Sequence, residues 1–282
     1  MCPDSRDSQL KAWSQRVARP ASQVAPRKFQ ARAGFTLIAP VGEDGLRAQP
    51  STRRQPDEET PLTYTGDVSV GGPADTRELP GLIITKVAVG PLDNNAYLLQ
   101  SSTTGELLLI DAANEADTLL GLIDGRPLAT IVTTHQHHDH WAALKAVQQA
   151  TGASTAAHPD DAGALPVPVT DLLRSGDTIS VGDAVLSVIH LRGHTPGGIA
   201  LCYDAGGELA GQPHLFTGDS LFPGGPGNTQ HDPKRFAQLM DDLEERVFGR
   251  LPDGTWVYPG HGQDTTLGTE RPRIPEWRAR GW

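Results

Sequence analysis

One stretch near the middle of the chain is rich in residues that bind metals. It reads Thr134-His135-Gln136-His137-His138-Asp139-His140, which gives the spacing HxHxDH. If the chain is extended here, His135 and His137 point to the same side, and a turn after them lets Asp139 and His140 face a second point nearby. Imidazole and carboxylate groups suit zinc, iron or manganese, and the lack of a neighbouring cysteine excludes a structural thiolate site. The stretch therefore predicts a metal site.

Other parts of the chain offer the ligands that this stretch alone would lack. Three apolar runs that resemble buried strands each lead to a glycine, which is followed by a histidine or an aspartate. They are Val185–Leu191 before Gly193-His194, His214–Thr217 before Gly218-Asp219, and Trp256–Tyr258 before Gly260-His261. Glycine permits the tight turn and the close backbone approach that a crowded metal site demands. We therefore expect ligands to converge from the ends of different strands onto one edge of the fold.

Strands and helices that must position these residues alternate from about Leu79 onwards. Apolar and β-branched runs predict strands at Leu82–Val89, Ala96–Leu99, Glu106–Ile110, Leu128–Thr134, Thr178–Val181, Ala184–Leu191 and Ile199–Tyr203. Helices interleaved with such strands indicate an α/β fold in which the helices lie outside packed sheets.

The helices are indicated by caps and by apolar spacing. Asn114 is the predicted N-cap of a helix that ends near Ile123. A second helix is predicted over Trp141–Ala150, with Gly152 as its C-cap. The clearest helix opens at Asp232-Pro233, where the aspartate caps it and the proline is its first residue. It carries an apolar stripe that we expect to face the core, formed by Phe236, Leu239, Met240, Leu243 and Val247.

The charge and the cysteines of the whole chain narrow the range of partners. A net charge of −10 over 282 residues argues against nucleic acid, which needs a basic surface. No apolar run approaches the length that spans a bilayer, so we expect a soluble protein with no membrane partner. Cys2 and Cys202 lie far apart without CxxC spacing, which favours a reducing, cytoplasmic location. We expect Cys202 to be a buried, inert thiol.

The first part of the chain differs in composition from the rest. Residues 1–61 carry 10 Lys and Arg against 7 Asp and Glu, while residues 62–282 carry 14 against 27. The first part also shows no sustained helical or strand period. We therefore expect residues 1–61 to be a disordered extension and residues 62–282 to form the folded domain.

Taken together, the motifs resemble those of the metallo-β-lactamase superfamily. HxHxDH is followed by GHTPGG at Gly193–Gly198, TGDSLF at Thr217–Phe222 and PGHG at Pro259–Gly262. The resemblance spans about residues 80–265 and implies an αββα sandwich with its site at one edge of the sheets. It also implies the ligands, which are His135, His137 and His194 for a first metal ion, Asp139, His140 and His261 for a second, and Asp219 as a bridge between them.

Within that superfamily the chain is most similar to hydroxyacylglutathione hydrolase (glyoxalase II) and its short bacterial relatives. This implies a hydrolase with two divalent metal ions, zinc first and iron or manganese as alternatives, that cleaves an acyl thioester or related ester. A hydroxide bridging the ions would attack the carbonyl carbon, and Asp139 would orient it or take its proton. Because the ions outweigh the negative charges of Asp139, Asp219 and the hydroxide, the small-molecule substrate is expected to be anionic or a thioester.

Two departures from glyoxalase II limit what the resemblance implies. Those enzymes carry a helical C-terminal domain that helps to bind glutathione, whereas only about twenty residues follow His261 here. Glutathione recognition is therefore not implied. The loop Phe222–Thr229 also differs from the usual continuation after the bridging aspartate.

Other activities stay open at this point. Persulfide dioxygenases resemble the ligand pattern but use one iron ion on the equivalents of His135, His194 and Asp219. Lactonases, β-lactamases and nucleases are hydrolases of related type, although the acidic net charge weakens the nuclease assignment. The sequence does not predict the oligomeric state.

The polar residues that remain are interpreted as structural. His138 is a spacer in the motif and should point away from the metals, while His231 is a weaker candidate for a substrate contact. Asn94-Asn95 is explained by turn formation. The other histidines are expected to be structural or surface residues, namely His158, His190 and His214.

Overall fold

Residues 64–206, 209 and 211–281 are described by a computed structural model of the chain. The predicted extension over residues 1–61 lies outside the described residues, as do residues 62 and 63. The boundary of the folded domain at residue 62 therefore stays a prediction.

The first sheet follows the order of the chain. Its strands are β1 (Asp75–Leu79), β2 (Leu82–Val89), β3 (Asn94–Ser101), β4 (Leu107–Ile110), β5 (Leu128–Val132), β6 (Ser154–Ala157) and β7 (Asp171–Leu172). Strands β1 to β4 pair antiparallel, whereas β4 to β7 pair in parallel. Because parallel strands end at the same edge of a sheet, the residues that follow β4 and β5 lie side by side.

The second sheet is largely antiparallel. Its strands are β8 (Thr178–Val181), β9 (Ala184–His190), β10 (Ile199–Tyr203), β11 (His214–Gly218), β14 (Trp256–Pro259) and β15 (Thr265–Thr266), in the spatial order β15-β14-β11-β10-β9-β8. Strands β11 and β14 are parallel, and β9 shares their direction because β10 is antiparallel to both β9 and β11. The carboxyl ends of β9, β11 and β14 therefore point to one edge. Between β11 and β14, β12 (Leu221–Phe222) and β13 (Gly225–Pro226) form a short hairpin.

Helices follow the strands at several points. They are α1 (Ala116–Ile123), α2 (Leu144–Thr151), α3 (Pro159–Ala162), α4 (Pro233–Asp242), α5 (Leu267–Glu270) and α6 (Ile274–Arg280). Helix α4 begins as predicted, because the Asp232 side chain accepts hydrogen bonds from the backbone N–H groups of Lys234 and Arg235, and Pro233 is its first residue. It continues into a π-helical segment, Leu243–Phe248.

The described chain is layered as helix, sheet, sheet and helix, which confirms the predicted αββα sandwich. In β4, Leu108 and Ile110 face the apolar core between the sheets, which also contains Phe216 and Tyr258. The alternate residues of β4 face the opposite way, because side chains alternate along a strand. They pack beneath the helices of the first layer, in a cluster that contains Leu107, Leu109, Leu119, Ile123, Leu144 and Val147.

The predicted stripe of α4 and its continuation closes the other side of the sandwich. All five of its residues are buried against Leu215 and Val257 of the second sheet. Trp277 of α6 is fully buried in the same cluster. The prediction that this stripe faces the core is confirmed.

Two predicted helix starts are wrong. The N-cap of α1 is Glu115, not Asn114, because the Asn114 side chain accepts a hydrogen bond from the adjacent Glu115 N–H and Glu115 adopts a left-handed backbone with φ 48°. The helix predicted from Trp141 begins at Leu144, because the Trp141 ring donates to the Gln136 carbonyl oxygen and holds the preceding residues in turns. The predicted C-cap at Gly152 is confirmed, with φ 71°.

No helix in the described part of the chain combines the length and the apolar character that crossing a bilayer requires. Cys202 lies half-buried on β10, beside the apolar residues beneath α4. Burial raises the pKa of its thiol to about 12. The thiol is therefore protonated at neutral pH, which fits the expected inert thiol, although the side chain is half-buried rather than fully buried.

Candidate metal centre

Asp111 organises the loop that carries the HxHxDH motif. It follows β4 directly, and its carboxylate accepts hydrogen bonds from the backbone N–H and the hydroxyl of Thr134, both at 2.7 Å. The same carboxylate lies 2.8 Å from Nδ1 of His140. Asp111 thus fixes both ends of the motif, and the parallel pairing of β4 with β5 places it there.

A first cluster is formed by His135, His137 and His194. Nδ1 of His137 lies 3.1 Å from Nε2 of His135 and 2.9 Å from Nε2 of His194. A tetrahedral ion with Zn–N bonds of about 2.0–2.1 Å would separate two such nitrogens by about 3.3 Å. Three imidazole nitrogens at this spacing form a group that can hold one metal ion.

A second cluster is formed by Asp139, His140 and His261. Nε2 of His140 and Nε2 of His261 are 3.2 Å apart. An oxygen of Asp139, Oδ2, lies 3.3 Å from the His261 nitrogen and 3.6 Å from the His140 nitrogen. These ligand atoms also form a group that can hold a metal ion.

Asp219 lies between the clusters. Its Oδ1 is 3.2 Å from Nε2 of His140, while its Oδ2 is 3.6 Å from Nε2 of His194 and 3.5 Å from Nε2 of His261. Oδ1 is buried and makes no hydrogen bond within the described part of the chain. A buried carboxylate oxygen without a hydrogen bond is costly unless a cation offsets its charge, so this oxygen fits a metal ligand.

In three of the histidines, the ring nitrogen that faces away from the clusters, Nδ1, is held by a hydrogen-bond acceptor. Nδ1 of His194 donates to the carbonyl oxygen of Asn228 at 2.7 Å, and Nδ1 of His261 donates to that of Leu92 at 2.8 Å. Nδ1 of His140 is held by Asp111. Because Nδ1 of each ring faces an acceptor outside the clusters, Nε2 is the nitrogen directed at the clusters, which is the orientation that metal-binding histidines have.

The carboxylates around the second cluster attract positive charge. Burial acts to lower the pKa of His140, but the carboxylates of Asp219 and Asp111 raise it to about 10. Burial also opposes protonation of His261, yet hydrogen bonds to Asp139 and Asp219 raise its pKa to about 9. Without a metal ion, protons on these rings balance the carboxylates. A metal ion bound here would replace them.

The first cluster is electrostatically different. Burial, together with the neighbouring His140, holds the pKa of His135 well below its usual range. Burial also lowers the pKa values of His137 and His194. The three rings are therefore neutral at physiological pH, which is the form that binds a metal ion.

Glycines allow the backbone to approach the candidate ligands closely, as the sequence predicted. Gly193 has φ 132°, and a Cβ there would lie 2.5 Å from the carbonyl oxygen of Arg235. A Cβ on Gly260 would collide with Oδ1 of Asp219 and lie 2.6 Å from Cε1 of His140. The second glycine thus lets its strand end directly against the candidate ligands.

Asn94 and Asn95 have a role that turn formation does not explain. They open β3 and are buried, and Nδ2 of Asn94 donates to Oδ2 of Asp139 at 2.9 Å. The Asn95 side chain donates to the carbonyl oxygens of Pro259 and Gly262, on both sides of His261. The interpretation as turn residues is therefore wrong, because strand β3 places both amides against the second cluster. Two consecutive asparagines at the start of an apolar strand were the available signal.

Asp161 was not identified from the sequence. It is buried in α3, and its carboxylate accepts hydrogen bonds from Gln136 N–H at 3.0 Å, from the Thr195 hydroxyl at 2.7 Å and from Gly197 N–H at 2.7 Å. These donors belong to the loops that carry His137 and His194. Asp161 therefore joins the two loops that form the first cluster.

The remaining histidines lie outside these clusters. His138 is exposed and packs edge-on against Trp141, in line with its prediction as a spacer. His158 and His190 stack with ring centres 3.8 Å apart, and with Asp160 they form a further group of potential ligand atoms. One nitrogen of each ring already has a hydrogen-bond partner, since Nδ1 of His158 accepts from the Asp160 N–H and Nε2 of His190 lies 2.8 Å from the Pro196 carbonyl oxygen. His214 contacts the Tyr258 hydroxyl at 2.9 Å, while His231 is exposed.

A cavity of about 410 Å³ opens beside the first cluster. We call it the Arg235 cavity. It is lined by Gln136, His137, Pro196, Gln230, Arg235 and Gln238. Because His137 forms part of its wall, the cavity offers a small molecule direct access to the candidate metal centre.

The chain is similar in sequence and in fold to known proteins. The sequence model of the Metallo-beta-lactamase superfamily matches residues 89–261, which contain the complete set of predicted ligands. Over 183 residues the chain is 36% identical to a hydroxyacylglutathione hydrolase of Polaromonas sp., a match that covers 64% of this chain and 66% of the relative. The chain thus spans slightly less than two thirds of that relative.

Two other proteins are matched over nearly their whole length. An uncharacterized protein of Aquifex aeolicus is 30% identical over 206 residues, which cover 67% of this chain and 94% of the relative. The crystal structure of TTHA1623 in a di-iron-bound form superposes with a TM-score of 0.55 at 33% sequence identity, covering 68% of this chain and 99% of that one.

Proposed function

Because the chain belongs to the metallo-beta-lactamase superfamily, we propose that it is a hydrolase that uses two divalent metal ions to cleave an acyl thioester or a related ester. The observation that carries this proposal is the position of Asp219, whose carboxylate oxygens lie within 3.6 Å of ligand atoms of both clusters. The proposed ligands are His135, His137 and His194 for the first ion, Asp139, His140 and His261 for the second, and Asp219 for both.

Two similarities support this assignment. Hydroxyacylglutathione hydrolase is the name of relatives that are 36% identical, and TTHA1623 binds two iron ions. Nitrogen-rich ligands with carboxylates suit zinc, which we propose as the natural metal, with iron or manganese as alternatives. We further propose a cytoplasmic protein that acts on a small molecule rather than on nucleic acid or a membrane.

When bound, such ions lower the pKa of a coordinated water and polarise the carbonyl oxygen of a substrate. Asp139 contributes separately. A hydrogen bond from His261, followed by one from Asn94, holds the pKa of its carboxyl well below the usual range. The carboxylate is therefore ionised at neutral pH and too weak a base to keep a proton. We assign to it the orientation of the attacking water through a hydrogen bond.

The complete second cluster favours this function over an iron-dependent oxygenase. The oxygenase alternative needs only His135, His194 and Asp219, and it gives Asp139 and His261 no role. Both side chains nevertheless point at the same centre, where an oxygen of Asp139 lies 3.3 Å from Nε2 of His261. This arrangement supports a second metal ion.

The test is a hydrolysis screen on purified protein, with metal content measured on the same sample. The panel contains a hydroxyacyl thioester, a carboxylic ester, a lactone and a β-lactam, and oxygen uptake is recorded with a persulfide. We expect two metal ions per chain and thioester or ester cleavage as the fastest reaction. Oxygen uptake with one iron per chain, and no hydrolysis, would overturn the proposal.

A further inference from the structure

Arg235 gives the Arg235 cavity a positive charge, and the nearby Asp232 carboxylate, whose pKa backbone hydrogen bonds and this charge both lower, forms no ion pair with it. Arg235 forms no ion pair with any described residue. The acidic residues of its own helix are engaged elsewhere, since Asp241 pairs with Arg278 and Asp242 pairs with Arg192 and Arg246. The Asp232 side chain is occupied by backbone N–H groups at the start of α4.

The guanidinium group of Arg235 is fixed at the wall of the cavity. Its Nε donates to the carbonyl oxygen of Gly193 at 2.8 Å, and its Nη2 donates to that of His194. Its Nη1 donates to the side-chain oxygen of Gln230 at 2.9 Å. Of the five N–H bonds of a guanidinium group, two make no hydrogen bond to the described residues. A fixed, half-exposed guanidinium with spare donors is suited to bind a carboxylate.

Side-chain amides extend this set of donors along the cavity. Gln136 lies between two of the proposed ligands, and Gln238 lies one turn of α4 beyond Arg235. Neither side chain makes a hydrogen bond to another described residue, so their amide groups are available to a ligand. The cavity therefore presents one positive charge and several polar groups, with His137 at its inner end.

We propose that the Arg235 cavity binds a carboxylate carried by the acyl group of the substrate, which makes the preferred substrate a half-thioester or half-ester of a dicarboxylic acid. This inference rests on the proposed function. A volume of about 410 Å³ accommodates a short acyl chain with its terminal carboxylate. The reacting carbonyl would then lie on the His137 side, and the carboxylate on the Arg235 side.

The test compares two thioesters of the same thiol, one with a glutaric half-acid as its acyl group and one with the corresponding primary amide. They have nearly the same shape and differ in charge. We expect the zinc-loaded protein to cleave the acid with a kcat/KM at least about tenfold higher, the scale of one hydrogen bond to a charged group. Equal kcat/KM values would overturn the inference and leave the proposed function intact.

Substitutions of Gln238 change the charge of the cavity without touching a proposed ligand. Gln238→Glu should reduce the preference for the acid severalfold, and Gln238→Lys should increase it. The readout is the ratio of the two kcat/KM values, because a local charge acts more strongly on the charged acid than on the neutral amide. Gln149→Glu, at an exposed position of α2, controls for net charge and should leave the preference unchanged. The same response at Gln149 and Gln238 would contradict a local carboxylate site.

A binding measurement decides the inference even if neither thioester is cleaved. Calorimetric titration of the zinc-loaded protein with glutarate and with glutaramate compares a second carboxylate with an amide, while the first carboxylate is common to both. Glutarate should bind at least about tenfold more tightly than glutaramate. Gln238→Glu should reduce this ratio of the two affinities. Equal affinities would rule the cavity out as a carboxylate site. Absence of all hydrolysis with a clear difference in affinity would instead contradict the proposed function alone.

Discussion

Oδ1 of Asp219 lies 3.2 Å from Nε2 of His140, and a carboxylate of Asp111 holds the opposite nitrogen of the same ring at 2.8 Å. The imidazole of His140 is thus fixed between two carboxylates and is fully buried. Asp219 reaches from this ring to His194 in the other cluster. A single carboxylate therefore connects the two groups of candidate ligands.

Replacing this carboxylate tests the connection. Asp219→Asn keeps the shape of the side chain but removes the negative charge that would offset the repulsion of two cations. We expect metal content below two ions per chain and a loss of turnover of at least about a hundredfold, the scale on which a lost electrostatic element acts. Metal analysis and steady-state kinetics on one preparation measure both effects.

His138→Ala is the matched control for that variant. His138 lies in the same motif but is exposed and packs on Trp141, so both metals and most of the activity should remain. Two bound metals and near-normal turnover in Asp219→Asn would show that the proposed site is wrong.

Asp161→Ala should weaken the first cluster without removing a ligand. The change leaves the N–H groups of Gln136 and Gly197 and the hydroxyl of Thr195 without their buried acceptor. Each unsatisfied buried group costs about 1–3 kcal/mol. With three such groups, we expect the free energy of unfolding to fall by at least about 3 kcal/mol in urea denaturation, together with a lower zinc affinity.

The neighbouring Asp160 provides the comparison, because its side chain is 58% exposed on the same helix. Asp160→Ala should change the free energy of unfolding by no more than about 0.5 kcal/mol and leave zinc affinity unaltered. Similar losses in both variants would mean that α3 tolerates no change, and Asp161 would have no special role.

Metal affinity should rise with pH. The pKa of His140 is raised to about 10 and that of His261 to about 9, so in the metal-free chain these rings hold protons at neutral pH. Metal binding must displace them, which releases at least about one proton per chain at pH 7. Calorimetry in buffers of different ionisation enthalpy measures this release. Binding without proton release would show that the rings are already neutral.

The same pKa values fix the sign of a stability change in the metal-free protein. A histidine whose pKa is raised on folding stabilises the fold fully below its unfolded pKa of about 6.5, and this contribution disappears as the pH rises through the folded pKa. Stability should therefore fall between pH 7 and pH 10 in the metal-free chain. His140→Gln should flatten that dependence.

The start of the domain can be tested with two shortened chains. A chain beginning at Leu62 should keep full activity and melting temperature. A chain beginning at Asp67 loses the hydrogen bond from Tyr64 to Asp264 at 2.6 Å and the carbonyl oxygen of Gly66, which Lys86 contacts at 2.7 Å. Lys86 is fully buried, so a lost acceptor should destabilise the fold by about 1–3 kcal/mol.

Lys86 also donates to the carbonyl oxygen of Gly262, next to His261. The longer truncation should therefore also weaken binding of the second metal. Lost activity in the chain that begins at Leu62 would show that residues before it contribute to the domain.

The residues of the candidate centre were predictable because each follows a signal that is local in sequence. His194, Asp219 and His261 come shortly after an apolar strand and directly after a glycine, and parallel strand directions bring such positions to one edge. The αββα layering followed in the same way from alternating strands and helices. Local patterns were therefore sufficient to predict the fold class and to predict that these side chains meet at one edge of the sheet.

Residues that support the centre were not predictable, because their partners are distant in sequence. Asp161 reads as one of several acidic residues at the start of an exposed helix, and only the tertiary fold brings it to Thr195, 34 residues away. The same holds for Asp111 and His140, which are 29 residues apart. The start of the helix after the motif was predicted too early, at Trp141. The Trp141 ring donates a hydrogen bond to the Gln136 carbonyl oxygen, and this contact between side chain and backbone cannot be predicted from apolar spacing.

The most direct measurement is a zinc titration of the metal-free protein, with bound metal and thioester hydrolysis followed on the same samples. The account predicts saturation at two zinc ions per chain, with full activity reached only when both are bound. Saturation at one ion with full activity would contradict the account. So would full activity in the double variant Asp139→Ala/His261→Ala, which lacks two ligands of the second cluster.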